Sequence, residues 1–306
     1  MEDAKYVCVI GDVHGHLQLA LSVAHLWQRE LGVEFEAVLL VGDLGTFTSE
    51  DRLDKATRKF AERNPMELEF MYQWLQTPPP PWIEGIFRPV SEGGLGIKNV
   101  VAIRGNHEDF EYLRSITPES APDMPVGLED LPSLDPNGFI KFLPNTWVVR
   151  LPGGTTVAGL GGVTDQKKGL ITEEELLTLM GILGDLGQVD ILLTHQGPEA
   201  VQEEAGSPEL NDLLGGARYW FHGHAVRNPE IVTVRGTTVV PLEHANFSHG
   251  KALDPNGWAI LRLGGEEKVW RGLPKETPYL SPNNWIRRRF NGQKVLVSPL
   301  LWNFLE

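Results

Sequence analysis

A single cysteine in 306 residues, Cys8, excludes an internal disulfide framework. It lies inside the apolar run 6–10, where it reads as a small core residue, and the compartment it suggests is a reducing cytoplasm. No apolar run approaches the roughly 20 residues that a membrane span needs, so no membrane partner is expected. The run 6–10 starts too close to the first residue, and leads too soon into polar residues, to be a secretory leader. Positive charge is also short: 27 Lys and Arg stand against 41 Asp and Glu, a formal net charge of −14. A chain of that balance repels a phosphate backbone unless its basic residues are concentrated, so extended nucleic-acid binding is disfavoured. Internal repeats are absent, and low complexity is confined to the four prolines 78–81.

The chain does have an ordinary apolar content of 41%, enough for a buried core. Its length fits one large α/β domain with insertions, or one domain with an appendage. Residues 6–10 and 37–41 read as buried strands, each stopped by glycine. Between them Leu17, Leu21, Ala24, Trp27 and Leu31 recur at helical spacing and define one buried face. Strand, helix and strand at this distance imply a parallel unit, whose sites lie at the carboxyl ends of the strands. Further strands are expected at 100–103, 147–151, 155–160, 189–194, 219–221 and 258–263, with a hairpin over 231–241. Thr172 is expected to cap a helix whose first turn carries Glu173, Glu174 and Glu175.

Residues 48–98 exceed what one crossover needs and read as an inserted helical hairpin and loop. Leu53, Ala56 and Phe60 continue one helical face. Asn64, Pro65 and Glu67 look like a fresh helix start, with Asn64 capping and Glu67 able to reach back, and this helix should run to about Gln76. The four prolines that follow are expected to lie outside helix and central strand. Residues 1–272 are therefore expected to form the main domain, and 273–306 a C-terminal tail in which Arg287, Arg288 and Arg289 form a solvated face.

Five polar clusters follow five of these strands: Gly11-Asp12-Val13-His14-Gly15, Gly42-Asp43, Gly105-Asn106-His107-Glu108, Thr194-His195 and Gly223-His224. A lone histidine after a strand is usually a hydrogen-bonded loop residue. Aspartate, histidine and asparagine arriving repeatedly at one end of successive strands is a different signal. Oxygen and imidazole donors in this mixture suit Mn, Fe, Zn or Mg rather than a calcium cage. A pair of such ions can clamp a phosphoryl group, acidify a shared water and stabilise an in-line displacement.

The series GDVHG, GD, RGNHE, H and GH resembles the calcineurin-like metallophosphoesterases, over about residues 6–263. Its closest likeness is to the serine/threonine phosphatase and diadenosine-tetraphosphatase branch, whose motifs read GDxHG, GDxxDRG and RGNHE. The resemblance implies an α/β (α+β) fold, a β-sandwich flanked by helices. It also implies a phosphatase-type hydrolase with two divalent metals, manganese foremost and Fe, Zn, Ni or Mg compatible. Asp12 and His14 would hold the first metal, Asp43 would bridge both, and Asn106, His195 and His224 would complete the second. A hydroxide shared between the metals would attack a phosphomonoester or phosphoanhydride, and His107 would sit beside the leaving group. The substrate would be a phosphorylated small molecule, a nucleotide or a phosphoprotein.

The chain departs from the pattern in three ways. Val226 stands where many members carry a further histidine for the first metal. Thr46 and Phe47 replace the Asp-Arg of GDxxDRG, which leaves the orientation of the catalytic histidine and the grip on phosphate unassigned. The insert after Asp43 is long. Outside the motifs, Arg104, His222, Arg227 and His244 are candidate substrate or supporting contacts, with His244 also able to replace the missing ligand. His16 reads as a polar helix start. The competing readings are a binding scaffold of this fold without catalysis and a nucleic-acid phosphodiesterase.

Overall fold

The computed structural model describes residues 4–165, 169–248 and 252–305. Its apolar runs form two main sheets. The first contains β1 (Lys5–Ile10), β2 (Ala37–Leu40), β3 (Val100–Ala102), β5 (Ile140–Phe142), β14 (Trp258–Leu263) and β15 (Lys268–Arg271), in the order β15-β14-β1-β2-β3-β5. The second contains β4 (Val126–Gly127), β6 (Val148–Arg150), β7 (Thr156–Leu160), β8 (Val189–Thr194), β9 (Ala217–His222), β10 (Val232–Val234) and β11 (Thr237–Pro241), in the order β10-β11-β9-β8-β7-β6-β4. Two small hairpins, β12 (Phe247–Ser248) with β13 (Ala252–Leu253) and β16 (Ile286–Phe290) with β17 (Gln293–Val297), stand apart. At the centre of each sheet the strands are parallel, β1-β2-β3-β5 and β7-β8-β9-β11.

Strand alternation decides the layering. Val7, Val9, Leu39 and Val101 face Ile191, Leu193, Phe221 and Val240 in a core between the sheets. Cys8, Ile10, Val38 and Leu40 point to the opposite face, beneath helix α1 (Leu17–Leu31). On the far side Leu192 and Trp220 pack with Leu179 and Leu183 of the last helix, Glu173–Leu186. The expected sandwich flanked by helices is found. Thr172 caps that last helix as expected, in a reciprocal box with Glu175. No described helix is long and apolar enough to cross a membrane.

Between β2 and β3 the chain forms α2 (Lys55–Ala61), a 3-10 turn (Pro65–Leu68), a π turn (Phe70–Trp74) and α3 (Pro81–Phe87). Two shorter helical pieces thus replace the single helix expected from Asn64 to about Gln76. Asn64 does cap, accepting from the Met66 N–H at 3.1 Å. Glu67 does not reach back, because the Asn64 N–H is already bound to the Phe60 carbonyl at 3.0 Å. Pro81 opens α3 rather than lying outside it, since the first turn needs no N–H from that residue. Phe70 and Trp74 are fully buried and Trp82 nearly so, which fixes the insert to the first core, while Phe60 stays exposed.

After β3 come α4 (Phe110–Ile116) and then, beyond the second sheet's β7, α5, the Glu173–Leu186 helix. The segment expected as a tail contributes Leu280, Trp285, Val295, Val297 and Leu301 to the core under α1. Gln18 of α1 binds it, donating to the Leu296 carbonyl at 3.1 Å and accepting from the Ser298 N–H at 3.3 Å. Arg287, Arg288 and Arg289 are exposed on β16.

Candidate metal centre

Parallel strands deliver their following loops to one edge, and there the polar clusters meet. Ligand atoms of Asp12, His14 and His244 lie within 4.8 Å of one another, and those of Asp43, His195 and His224 do likewise. Asp43 stands between the two groups. Its Oδ1 accepts from the backbone N–H of Asn106 at 2.7 Å and of His107 at 2.8 Å. Its Oδ2 is thereby turned inward, 3.4 Å from His195 Nε2 and 3.8 Å from His14 Nε2. The Asn106 Oδ1 lies 2.9 Å from the same His195 nitrogen. The structure therefore brings together all six residues expected to bind metal.

The backbone is bent to reach this arrangement. His14, Asp43 and His224 occupy the left-handed region, with φ of 42°, 48° and 49°. Non-glycine residues rarely adopt it, and such strain persists where the surroundings enforce it. Two motif glycines are needed because carboxylates lie against them. A Cβ on Gly105 would stand 2.0 Å from Asp43 Oδ1, and one on Gly223 would stand 2.1 Å from Asp12 Oδ1.

Two of the imidazoles have the protonation that cations require. Burial pushes His14 and His224 down to about 4, so both imidazoles are neutral with a lone pair to offer. His195 donates from Nδ1 to the Val41 carbonyl at 3.0 Å, which leaves Nε2, turned towards Asp43 and Asn106, as the nitrogen that could bind an ion. Burial opposes charge on His195, yet Asp43 and Asp12 outweigh it and raise its pKa to about 9, so an ion binding at Nε2 would displace a proton. Burial likewise raises Asp12, whereas for Asp43 the surrounding imidazoles of His195, His14 and His107 overcome burial and hold it well below the usual carboxylate range. Buried carboxylates and imidazoles converging in this way fit two divalent ions.

His244 is the candidate whose position adds most. Its ring stacks on His14 with centroids 5.0 Å apart, and its ligand atom lies with those of Asp12 and His14. The other three candidates are not among these convergent donors. Arg104 pairs with Glu175 at 3.0 Å and donates to the Gly161 and Leu170 carbonyls, so it anchors a loop. His222 is fully buried, with its ring against Gly197, and burial lowers it to about 4. Arg227 is exposed, and its backbone N–H donates to Gln202. His16 joins the first motif to the insert: Nδ1 faces the His14 carbonyl at 2.8 Å, and Nε2 lies 2.7 Å from Asn64 Nδ2.

Sequence reading missed Asp54. Its Oδ2 is 2.6 Å from His107 Nδ1, while its Oδ1 accepts from the Thr57 N–H at 2.7 Å and caps α2. The carboxylate that steadies His107 is thus carried by the insert. That bond to Asp54 is the largest influence on His107 and raises its pKa to about 8. Thr46, in place of the motif's aspartate, donates instead to Glu108 at 2.6 Å, and Glu108 also accepts from the Leu44 N–H at 2.8 Å. Only the pairing of Asp54 with the following Lys and Thr hinted at a role, and that hint is the signature of an ordinary helix cap.

The family model for calcineurin-like phosphoesterases matches residues 5–228. Among solved structures, a phosphatase from Mycoplasma pneumoniae is 11% identical, with 92% of this chain and 97% of that one covered and a TM-score of 0.47. A dimetal phosphatase from Danio rerio is also 11% identical, covering 96% and 98%, with a TM-score of 0.48. Comparison with curated protein sequences finds no match.

Proposed function

Since the chain belongs to the calcineurin-like phosphoesterases, we propose that it hydrolyses a phosphomonoester or phosphoanhydride at a dinuclear metal centre. The observation that carries this reading is the Asp43 carboxylate, turned by two backbone N–H groups so that Oδ2 stands between two convergent donor sets. Asp12, His14 and His244 would hold one ion and Asn106, His195 and His224 the other, with Asp43 shared. Manganese is the expected metal, and Fe, Zn, Ni or Mg fit the same donors. When bound, such a pair neutralises the phosphoryl charge and makes water a nucleophile at neutral pH. A reducing, cytoplasmic setting agrees with the single thiol, which is buried.

The residues supply the rest. Asp54 fixes the His107 ring through Nδ1 and favours its protonated form, so that Nε2 carries a proton for the departing oxygen. Asp43 keeps the backbone at Asn106 and His107 in place, coupling the position of the acid to that of the donors.

Two outcomes test this. Reconstituted protein should contain two equivalents of transition metal by elemental analysis, and His244→Ala should retain only one tightly. One equivalent or none in the unmodified protein would refute the paired centre. Asp54→Asn should keep both metals, lower the His107 pKa measured by NMR, and slow turnover of alkyl phosphates by about 10–10²-fold, as partial loss of acid catalysis predicts. An unshifted His107 titration would reduce Asp54 to a helix cap.

A further inference from the structure

Positive charge is scarce in this chain but unevenly spread. Four of the 27 Lys and Arg side chains, those of Arg287, Arg288, Arg289 and Lys294, stand exposed on the hairpin β16-β17. None of the four forms an ion pair with a described residue, and their one side-chain bond is from Arg288 Nη1 to the Arg287 carbonyl at 3.2 Å. The hairpin itself is firmly held. Val295 and Val297 are buried in the core under α1, and Phe290 meets Trp82 edge to face with centroids 5.3 Å apart. Asn291 at its tip donates to the Gln76 side chain at 2.8 Å.

The two edges of the hairpin differ. Its loop, Asn291-Gly292, has φ of 47° and 81°, the two-residue turn whose flanking pair, Phe290 and Gln293, shares ladder bonds. Alternation then turns the backbone groups of Arg287 and Arg289 outward on β16, and those of Lys294 and Leu296 outward on β17. Gln18 covers the β17 side by donating to the Leu296 carbonyl. No described strand pairs with the outer edge of β16. Charged side chains on an open edge deter chance pairing. That purpose does not require Arg289 directly opposite Lys294, a like-charge pair that weakens the hairpin.

We propose that β16 is a docking edge for an acidic, extended segment of a partner protein, which adds to the hairpin as a third strand. Main-chain bonds to Arg287 and Arg289 align the segment. Carboxylates at alternate positions meet the Arg287 and Arg289 side chains, with Lys294 beside them on the same face. β16 offers five residues, roughly 17 Å, which suits a short segment. A nucleic acid or an anionic membrane would also meet the rest of a chain whose net charge is −14, and be repelled by it. A second copy pairing through the same edge would set arginine against arginine.

The test measures, by fluorescence anisotropy at low salt, binding of a labelled octapeptide of alternating glutamate and valine to the full chain. A second peptide is N-methylated at its glutamate amides, which keeps the charge and removes the main-chain donors that face β16. The unmodified protein should bind the first peptide at least about tenfold more tightly than the second, the worth of one or two net hydrogen bonds. An Arg287→Glu/Arg289→Glu protein should lose at least about tenfold, and added salt should weaken binding to the unmodified protein. Its melting temperature should not fall, because Arg289→Glu faces Lys294 with an opposite charge. The peptide comparison uses unmodified protein alone, so it decides the matter even if the substitutions disturb folding. Equal binding of the two peptides, equal binding by two folded proteins, or no binding at all would overturn the inference. So would stronger binding to phosphatidylserine vesicles than to the peptide, or self-association in sedimentation that the double substitution abolishes.

Discussion

His107→Ala is expected to keep both metals and to lose roughly 10²–10⁴-fold in turnover on esters with poor leaving groups, the range for a lost general acid. Its side chain is not among the convergent metal donors, so their geometry should survive its removal. Alkyl phosphates need a proton on the departing oxygen, whereas 4-nitrophenyl phosphate expels a stable phenolate. The loss should therefore be much smaller on the aryl ester. The measurement is kcat on both substrates together with metal content. An equal loss on the two would point to substrate binding or structure rather than proton transfer. Asp54→Asn should show the same substrate bias in weaker form, because the proton-bearing ring remains but is less basic and less fixed.

Deleting residues 273–306 is expected to abolish cooperative folding. The segment puts Leu280, Trp285, Val295, Val297 and Leu301 into the core beneath α1, and its backbone satisfies the buried amide of Gln18. Each large buried side chain is worth about 2–5 kcal/mol when truncated, so losing five at once, about 10–25 kcal/mol, matches or outweighs the roughly 5–15 kcal/mol of a whole domain. Trp285→Ala alone should cost about 3–5 kcal/mol, read as a lower midpoint in denaturant. A truncated protein that stayed soluble and melted in one sharp transition would show the segment to be dispensable. The insert has the same character: Phe70, Trp74 and Trp82 pack into that core, and Asp54 belongs to the site. Replacing it with a flexible linker would therefore disturb both the core and the site.

The central strands and α1 were legible because their apolar residues follow the periods of two and about 3.6, with glycine ending the strands. Strands at 189–194 and 258–263 coincide with β8 and β14. The ligand positions were legible because identical chemistry recurs after successive strands. What stayed hidden depended on distant partners. β5 and β15 span only three and four residues, too few for a period of two to stand out. The π turn at Phe70–Trp74 arises where a helix must also satisfy Glu69, whose carboxylate accepts from Trp74 Nε1 at 2.8 Å and from the Gln18 N–H at 2.9 Å. Asp54 was invisible as a site residue because its partner lies 53 positions away. Thr46 and Phe47 marked a missing aspartate, but nothing local said that the insert returns it.

The site draws Asp12, Asp43 and Asn106 from loops of one sheet, and His195 and His224 from the other. An ion held among them would be a clasp across the seam of the sandwich as well as a reagent. Ligand bound only to the folded form adds RT ln(1 + [L]/Kd), about 2.7 kcal/mol at a hundredfold excess over Kd. Chelation would then loosen the jaws from the open edge inward, and the strained turns at His14, Asp43 and His224 would be the first to relax. Thermal resilience and metal supply would be set by the same residues, so a cell starved of the ion would lose the protein along with its chemistry.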